Sequence, residues 1–300
     1  MYIMLSEKQF ILLFSIYSNS QLNSIPQKKL ALPFSMSPHL IKRYYKKLKQ
    51  DGFVDEKICL TPTGIQAMAP YRVKNAIIMA AGMGQRLAPL SYEKPKGLLV
   101  VKGEVLIERQ IKQLQEAGIN DITVVIGYMK NKMLYLAEKM NVNIVVNEDY
   151  YRYNNTSSLI RVGDKLSNTY ICSSDNYFSQ NVFTPYVYQS YYAAVYEPGK
   201  TNEYCLKYNS NGRIEQVDIG GSESWYMFGH AYFSKEFSNK FVKILKTEYK
   251  SSITRMHLWE DMYLRHLDTL DLYIKTYNKD IIYEFDSLAD LRKFDSSYII

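Results

Sequence analysis

The chain has 300 residues, 47% of them hydrophobic and 22% charged, which excludes a disordered polymer and allows one large domain plus a small one. Its net charge of +7 is uneven: residues 1–75 hold 11 Lys+Arg against 4 Asp+Glu, and the remaining 225 hold 26 of each. Three scattered cysteines, Cys59, Cys172 and Cys205, exclude a disulfide framework, and the apolar run Phe10 to Phe14 is too short for a membrane span or a leader, so a reducing cytoplasm without membrane insertion is expected.

In chain order, Ser6 is placed to cap a helix over EKQFILLFSIY, with Phe10, Leu13, Phe14 and Tyr17 on one face. QKKLAL, residues 27–32, reads as a short second helix. Ser37 caps a third, PHLIKRYYKKLKQ, with Pro38 in its first turn and Asp51-Gly52 at its end. FVDEKICLTPTGIQAM then reads as a hairpin and a closing helix. These elements predict a small winged helix-turn-helix domain over residues 1–71, ending at Ala69-Pro70-Tyr71. Its third helix carries Lys42, Arg43, Lys46, Lys47 and Lys49. Residues 37–50 are therefore either a DNA contact or a solvated basic face, and only Arg43 and Gln50 have side chains suited to base edges.

Residues 72–300 change texture. Strands are predicted at 75–80, Leu98 to Val101, DITVVIG, NVNIVVN and TYICSS. Helices are predicted at Leu106 to Glu116, NKMLYLAEKM and SSLIRVGDKL. This alternation predicts an α/β domain with a doubly wound, mostly parallel, Rossmann-like sheet. Ligands of such sheets sit at the carboxyl ends of the strands, which would bring the loop after strand 75–80, Gly127-Tyr128, Asn147 and Asp175 to one edge. Beyond residue 190, four short tyrosine-rich strands, AAVYE, EYCLKY, RIEQVDI and WYMFGHAYF, are expected to form a lid.

The densest signal is NAIIMAAGMGQRLAPLSYEKPK, ending at Lys96. A buried strand runs into Ala81, Gly82, Met83 and Gly84, whose small side chains let backbone N–H groups approach an anion; Arg86 and Lys96 supply countercharge. A nucleoside triphosphate attacked at its α-phosphate needs such a loop. The loop lacks the third glycine of a dinucleotide fingerprint and the GK[ST] of a Walker loop. The joint pattern AAGxGxRL–PL–KPK resembles the nucleotidyltransferases that activate sugar phosphates and alcohol phosphates. With GINDITVVIGYMK, NEDYYRYNNTSSL, SSDNYF, TNEY and IIYEFDSLADLRKF, residues 75–295 resemble the bacterial choline-phosphate cytidylyltransferases, and the N-terminal unit resembles the winged-helix extension of some members.

The resemblance implies Mg²⁺-dependent transfer of CMP from CTP to phosphocholine, giving CDP-choline and pyrophosphate. It implies Ala80, Ala81, Gly82 and Gly84 against the nucleotide, Arg86 on the β- and γ-phosphates, and Lys96 bridging the α-phosphate and the attacking phosphate. Gly127, Tyr128, Asn155 and Ser158 would line cytosine and ribose. Asp175, Glu284 and Asp286 would hold the metal, Glu284 and Asp286 sharing one face of a strand, although Asp286 could instead cap the helix that follows. Relatives often carry a further acid where this chain has Ser173. For a choline headgroup, which has no N–H, aromatic faces and a carboxylate are needed; the candidates are Tyr204 next to Glu203, and Trp259 with Glu260 and Asp261. A relative's acid–aromatic pair is here Met256-His257-Leu258, which makes phosphoethanolamine or 2-aminoethylphosphonate a competing acceptor. The same residues are also compatible with a sugar-1-phosphate nucleotidyltransferase and, in a different class, with a DNA-binding regulator that senses the nucleotide. In many relatives a choline-kinase-like domain follows, and the chain stops at Ile300, about where it would begin, so a functional link to a choline kinase is expected.

Overall fold

The structure, a computed structural model, describes residues 4–21 and 37–298. It divides into two compact units: Met1–Arg72 with Tyr186–Tyr188, and Val73–Pro185 with Gln189–Ile300. The first unit is built on α1 (Glu7–Gln21), α2 (Pro38–Gln50) and α3 (Pro62–Met68). Ser37 and Thr61 cap α2 and α3 by accepting from Leu40 N and Gly64 N, satisfying donors that a first turn leaves open. One antiparallel bridge, Val54 to Leu60, lies between those helices. Leu5, Phe10, Leu13, Ile41, Leu48, Phe53 and Met68 form the core. The short helix expected at residues 27–32 lies outside the described residues.

The second unit is an α/β domain. Its elements are β1 (Asn75–Ala80), β2 (Val100–Val101), β3 (Glu104–Val105), α4 (Leu106–Glu116), β4 (Ile122–Ile126), α5 (Leu136–Met140), β5 (Asn143–Val146), α6 (Thr156–Arg161), β6 (Thr169–Ser173), β7 (Asn176–Phe178), β8 (Tyr191–Tyr208), β9 (Ile214–Phe233), α7 (Lys235–Glu248), α8 (Ser252–Met256), α9 (Trp259–Leu264), β10 (Tyr273–Thr276), β11 (Ile282–Glu284) and α10 (Leu288–Phe294). Seven strands form the central sheet in the order β10-β8-β9-β6-β1-β4-β5. β6, β1, β4 and β5 are mutually parallel, and β10 is parallel to β8; β9 runs antiparallel to both β6 and β8. The inner strands read as continuous apolar runs because both faces are covered: every residue of β4 is buried. Phe233, Phe237, Phe241, Trp259 and Met262 fill a large core cluster on this sheet with Ile77, Val125 and Ile171.

Three expectations change here. The four short strands beyond residue 190 are two long ones, and they join the central sheet rather than forming a separate lid. Pro198, Gly199, Gly220 and Gly221 interrupt the alternation, but the pairing absorbs them in register shifts between Glu197/Lys200 and Thr201/Tyr204. The helix expected over NKMLYLAEKM is confined to its second half, preceded by a tight turn at Lys130–Lys132 that starts from Met129 in the left-handed region. The strand expected from Leu98 begins only at Val100, because Lys96–Leu98 is a helical turn. Among the described residues no helix is long and apolar enough to cross a membrane.

Candidate active site

The carboxyl ends of β1, β5 and β6 open into a cleft of about 980 Å³. Its floor is the loop after β1. Gly84 has φ +61, and a Cβ there would lie 2.7 Å from the Lys96 Cγ; only glycine takes this turn and lets the lysine stem cross it. The crossing fixes Lys96, whose Nζ donates to Asp175 Oδ2 at 3.0 Å and Asp286 Oδ1 at 2.6 Å. Arg86 reaches the other Asp286 oxygen at 2.9 Å. Asp175 follows β6. Glu284 ends β11, which pairs with β7 through Glu284 and Asn176. Ligand oxygens of Asp175, Glu284 and Asp286 all lie within 4.8 Å of one another. The cap of α10 is Ser287, in a reciprocal box with Asp290, so Asp286 is not the cap and its carboxylate belongs to the cluster.

The charges in this cluster act on each other. Burial pulls the Lys96 ammonium down, but the facing Asp175 and Asp286 outweigh it and hold the group above its ordinary value. Burial, then the neighbouring Asp175 and Asp286, pushes the Glu284 carboxyl well above the usual range. Three hard oxygen donors with one ionised only at a cost are a donor set that a small divalent cation fits.

A second wall comes from β8, β9 and α9. Tyr192, Tyr204, Tyr226, Glu203 and Glu260 line it. Glu260 is buried and accepts from Tyr192 Oη at 3.0 Å and Asn155 Nδ2 at 3.2 Å. Desolvation pushes its carboxyl up to about 7 against those hydrogen bonds. The Glu203 carboxyl is raised too, by partial desolvation and then by Asp286. Among the described residues neither glutamate forms an ion pair with a side chain of the protein.

The cleft brings together Ala80, Ala81, Gly82, Gly84, Arg86, Lys96, Asn155, Ser158, Asp175, Glu203, Tyr204, Glu284 and Asp286. Four other expected residues stand elsewhere. Trp259 is 1% exposed, stacked on Tyr192 at 5.5 Å and edge-on to Phe233 and Phe241; it is core, because the first residue of α9 turns into the sheet. Asp261 accepts from Leu258 N at 2.9 Å and from Tyr204 Oη at 2.8 Å, so it caps α9 and steadies Tyr204 from behind. Gly127 and Tyr128 lie behind the loop: Tyr128 N donates to Ala81 O at 3.0 Å, and a Cβ on Gly127 would meet Tyr150 Cβ at 2.8 Å and Ala81 O at 2.9 Å. Gly127 lines a separate hollow of about 360 Å³ with Lys130, Lys132, Glu148 and Tyr150.

Glu260, expected only as a companion of Trp259, lines the cleft itself, and sequence reasoning missed Tyr192 and Tyr226. A signal for Glu260 was present: Asn155, expected at the ligand, binds α9 twice, its Oδ1 accepting from Trp259 N at 2.7 Å and its Nδ2 donating to Glu260. Asn147, expected only at the sheet edge, lines the cleft and donates to Ser157 and Ser158 hydroxyls at 2.8 and 3.1 Å.

A glycine loop at the end of the first strand, a lysine crossing it and acidic groups on later strand ends define a nucleotidyltransferase. Residues 76–210 match the model of the MobA-like NTP transferase domain. The chain is 36% identical to a choline-phosphate cytidylyltransferase of Streptococcus pneumoniae over 73% of its own length and 96% of the relative's. It is 35% identical to a 2-aminoethylphosphonate cytidylyltransferase of Lancefieldella rimae, over 75% of this chain and 93% of that one. The solved structure of the S. pneumoniae CTP:phosphocholine cytidylyltransferase superposes with a TM-score of 0.72 at 36% identity, covering 75% of this chain and 99% of that chain. An inositol-1-phosphate CTP transferase of T. maritima, at 17% identity and a TM-score of 0.59, shares the fold over 76% of this chain and 94% of its own. The chain belongs to the choline-phosphate cytidylyltransferase family of nucleotidyltransferases.

Proposed function

We propose that this enzyme transfers CMP from CTP to phosphocholine, releasing pyrophosphate and CDP-choline. The observation that carries the reading is the convergence of Lys96 with Asp175 and Asp286 beside the glycine loop, in a chain of this family. Residues 80–84 cradle the triphosphate with backbone N–H groups, and Arg86, already at the rim, pairs with its outer phosphates. Lys96 lies where the α-phosphate and the attacking phosphate oxygen meet and gathers the charge that grows as they react. Asp175, Glu284 and Asp286 would hold Mg²⁺, which when bound neutralises phosphate charge. The reaction needs no covalent intermediate; positioning and electrostatics supply the acceleration. The cytoplasm, where CTP is made, is the place this activity fits.

The acceptor reading rests on the second wall. Three tyrosines and two glutamates that form no ion pair among the described residues suit a positively charged headgroup, and a quaternary ammonium is held by ring faces and a carboxylate. A second reading, 2-aminoethylphosphonate as acceptor, is favoured by one feature: Glu203 and Glu260 could accept hydrogen bonds from a primary ammonium, which choline does not offer. Pyrophosphate release, measured with CTP and UTP crossed against phosphocholine, phosphoethanolamine, 2-aminoethylphosphonate and a hexose-1-phosphate, tests both. Turnover highest with CTP and phosphocholine is expected; a phosphonate preferred over phosphocholine by kcat/KM would replace the first reading with the second, and a hexose-1-phosphate preference would remove both.

A further inference from the structure

No described residue of α2 lines the cleft. Ile41 and Leu48 are buried, and Tyr44 and Tyr45 pack beside them against the first unit's core. His39, Lys42, Arg43, Lys46, Lys47 and Gln50 are exposed, and their spacing of three and four residues sets them on one continuous face. Lys49 meets Glu56 at 3.0 Å. Among the described residues, Lys42, Arg43, Lys46 and Lys47 make no ion pair. Lys42 and Lys46, and Arg43 and Lys47, are like-charged neighbours one turn apart, an arrangement that weakens a helix unless something outside it supplies anions.

The unit's own acids are committed elsewhere. Glu7 sits in the first turn of α1, Asp51 accepts from Gln9 Nε2, Asp55 binds its own turn through Lys57 N and Cys59 N, and Glu56 is taken by Lys49. Residues 22–36, outside the described region, contain Lys28 and Lys29 and no acid. Residues 76–300 are charge-neutral overall, so the excess belongs to this unit.

We propose that this face of α2 binds the phosphate backbone of duplex DNA. Its exposed positions carry no apolar side chain that could enter a bilayer, and the helix's apolar face is spent on the core. The 13 residues of α2 make a rod about 20 Å long and roughly 10–12 Å across, which the major groove of B-DNA, about 12 Å wide, admits. The deep, narrow groove of A-form RNA does not. The two cation rows can meet phosphates on the two strands. Three of the six exposed side chains on the face are lysines, which serve phosphates as point charges, so binding is chiefly non-specific and salt-dependent.

The test is fluorescence anisotropy of the full chain with a 20-base-pair duplex across a salt series. Four phosphate contacts predict a slope of log K against log salt of about −3 to −4. The double variant Lys42→Ala/Lys46→Ala should reduce that slope by about 2 and leave pyrophosphate release unchanged; Arg43→Gln/Lys47→Gln is the independent second pair. No duplex binding at about 50 mM salt would overturn the proposal. So would an unchanged slope in both pairs, or tighter binding to duplex RNA or to vesicles of anionic phospholipid than to DNA.

Discussion

Asp175 and Asp286 face two cations of the protein itself, whereas Glu203 and Glu260 face tyrosines and an asparagine. The first group is balanced before any ligand arrives, so whatever binds there must bring charges of both signs, as a triphosphate with its metal does. The second group has no ion pair among the described residues: Glu260 is held by hydrogen bonds, and Arg86 acts on Glu203 only at longer range. The rise of the Glu260 carboxyl to about 7 follows: a desolvated carboxylate without a paired cation holds its proton. The cleft thus holds one set of charges paired within the protein and one set of acids left to hydrogen bonds and solvent.

The comparison breaks most visibly at Lys96. Lys96→Ala should lower kcat about 10²- to 10³-fold, the usual loss for one preorganised group on a developing charge, in a variant that still folds; near-normal turnover in a folded variant would remove the assigned role. Asp175→Asn should shift the Mg²⁺ concentration for half-maximal rate upward by about 10-fold or more, the usual cost of losing a supporting group at a metal site, and an unchanged titration would remove Asp175 from the metal set. At the second wall, Glu260→Gln should raise KM for the acceptor about 10-fold, since a hydrogen-bonded charge contributes about 1.5–3 kcal/mol, and leave KM for CTP nearly unchanged.

The same carboxyl gives a pH test. An ammonium acceptor needs it ionised, so kcat/KM for the acceptor should rise through about pH 7, and Glu260→Gln should lose that rise. Stability runs the other way. The unfolded chain gives up this proton near the ordinary 4.5 and the folded chain near 7, so the folded state binds more protons between those values. The Glu260 contribution is then fully present below about 4.5 and lost as pH climbs to about 7; urea midpoints of wild type and Glu260→Gln should converge at the acid end of that window. The smallest changes separate the tyrosine wall from the core behind it. Tyr204→Phe removes one hydrogen bond to Asp261 and should cost about 1 kcal/mol in acceptor binding. Trp259→Phe should lower stability by about 1–3 kcal/mol through a poorly filled site and leave KM values per folded molecule unchanged. A KM effect of Trp259→Phe larger than that of Tyr204→Phe would reverse the placement of the two rings.

The phosphate side was legible in the sequence because its signals are local. An apolar strand, a loop of small residues, a lysine between prolines and glycine, and an acid after a buried strand each announce themselves within a few residues. The headgroup side depends on distant geometry. Trp259, Glu260 and Asp261 are consecutive on a helix, so each points about 100° from the next, and only the docking of α9 decides that Glu260 faces the cleft while Trp259 faces Phe233. Tyr192 and Tyr226 lie on strands whose lengths were hidden by prolines and glycines that the pairing absorbs as bulges. Gly127 meets a packing requirement set by distant residues, since Tyr150 and the Ala81 carbonyl leave no room for a side chain.

Asp286 is held at one oxygen by Lys96 and at the other by Arg86. On the proposed reading, a triphosphate draws on those two cations and a metal draws on Asp286, so each competes with the bonds that now join them. Each ligand therefore undoes bonds that oppose the other, and by reciprocity each raises the other's affinity by the same factor. On that reading, a divalent cation alone and a metal-free nucleotide each meet acids and cations already paired with one another, which favours the two arriving together.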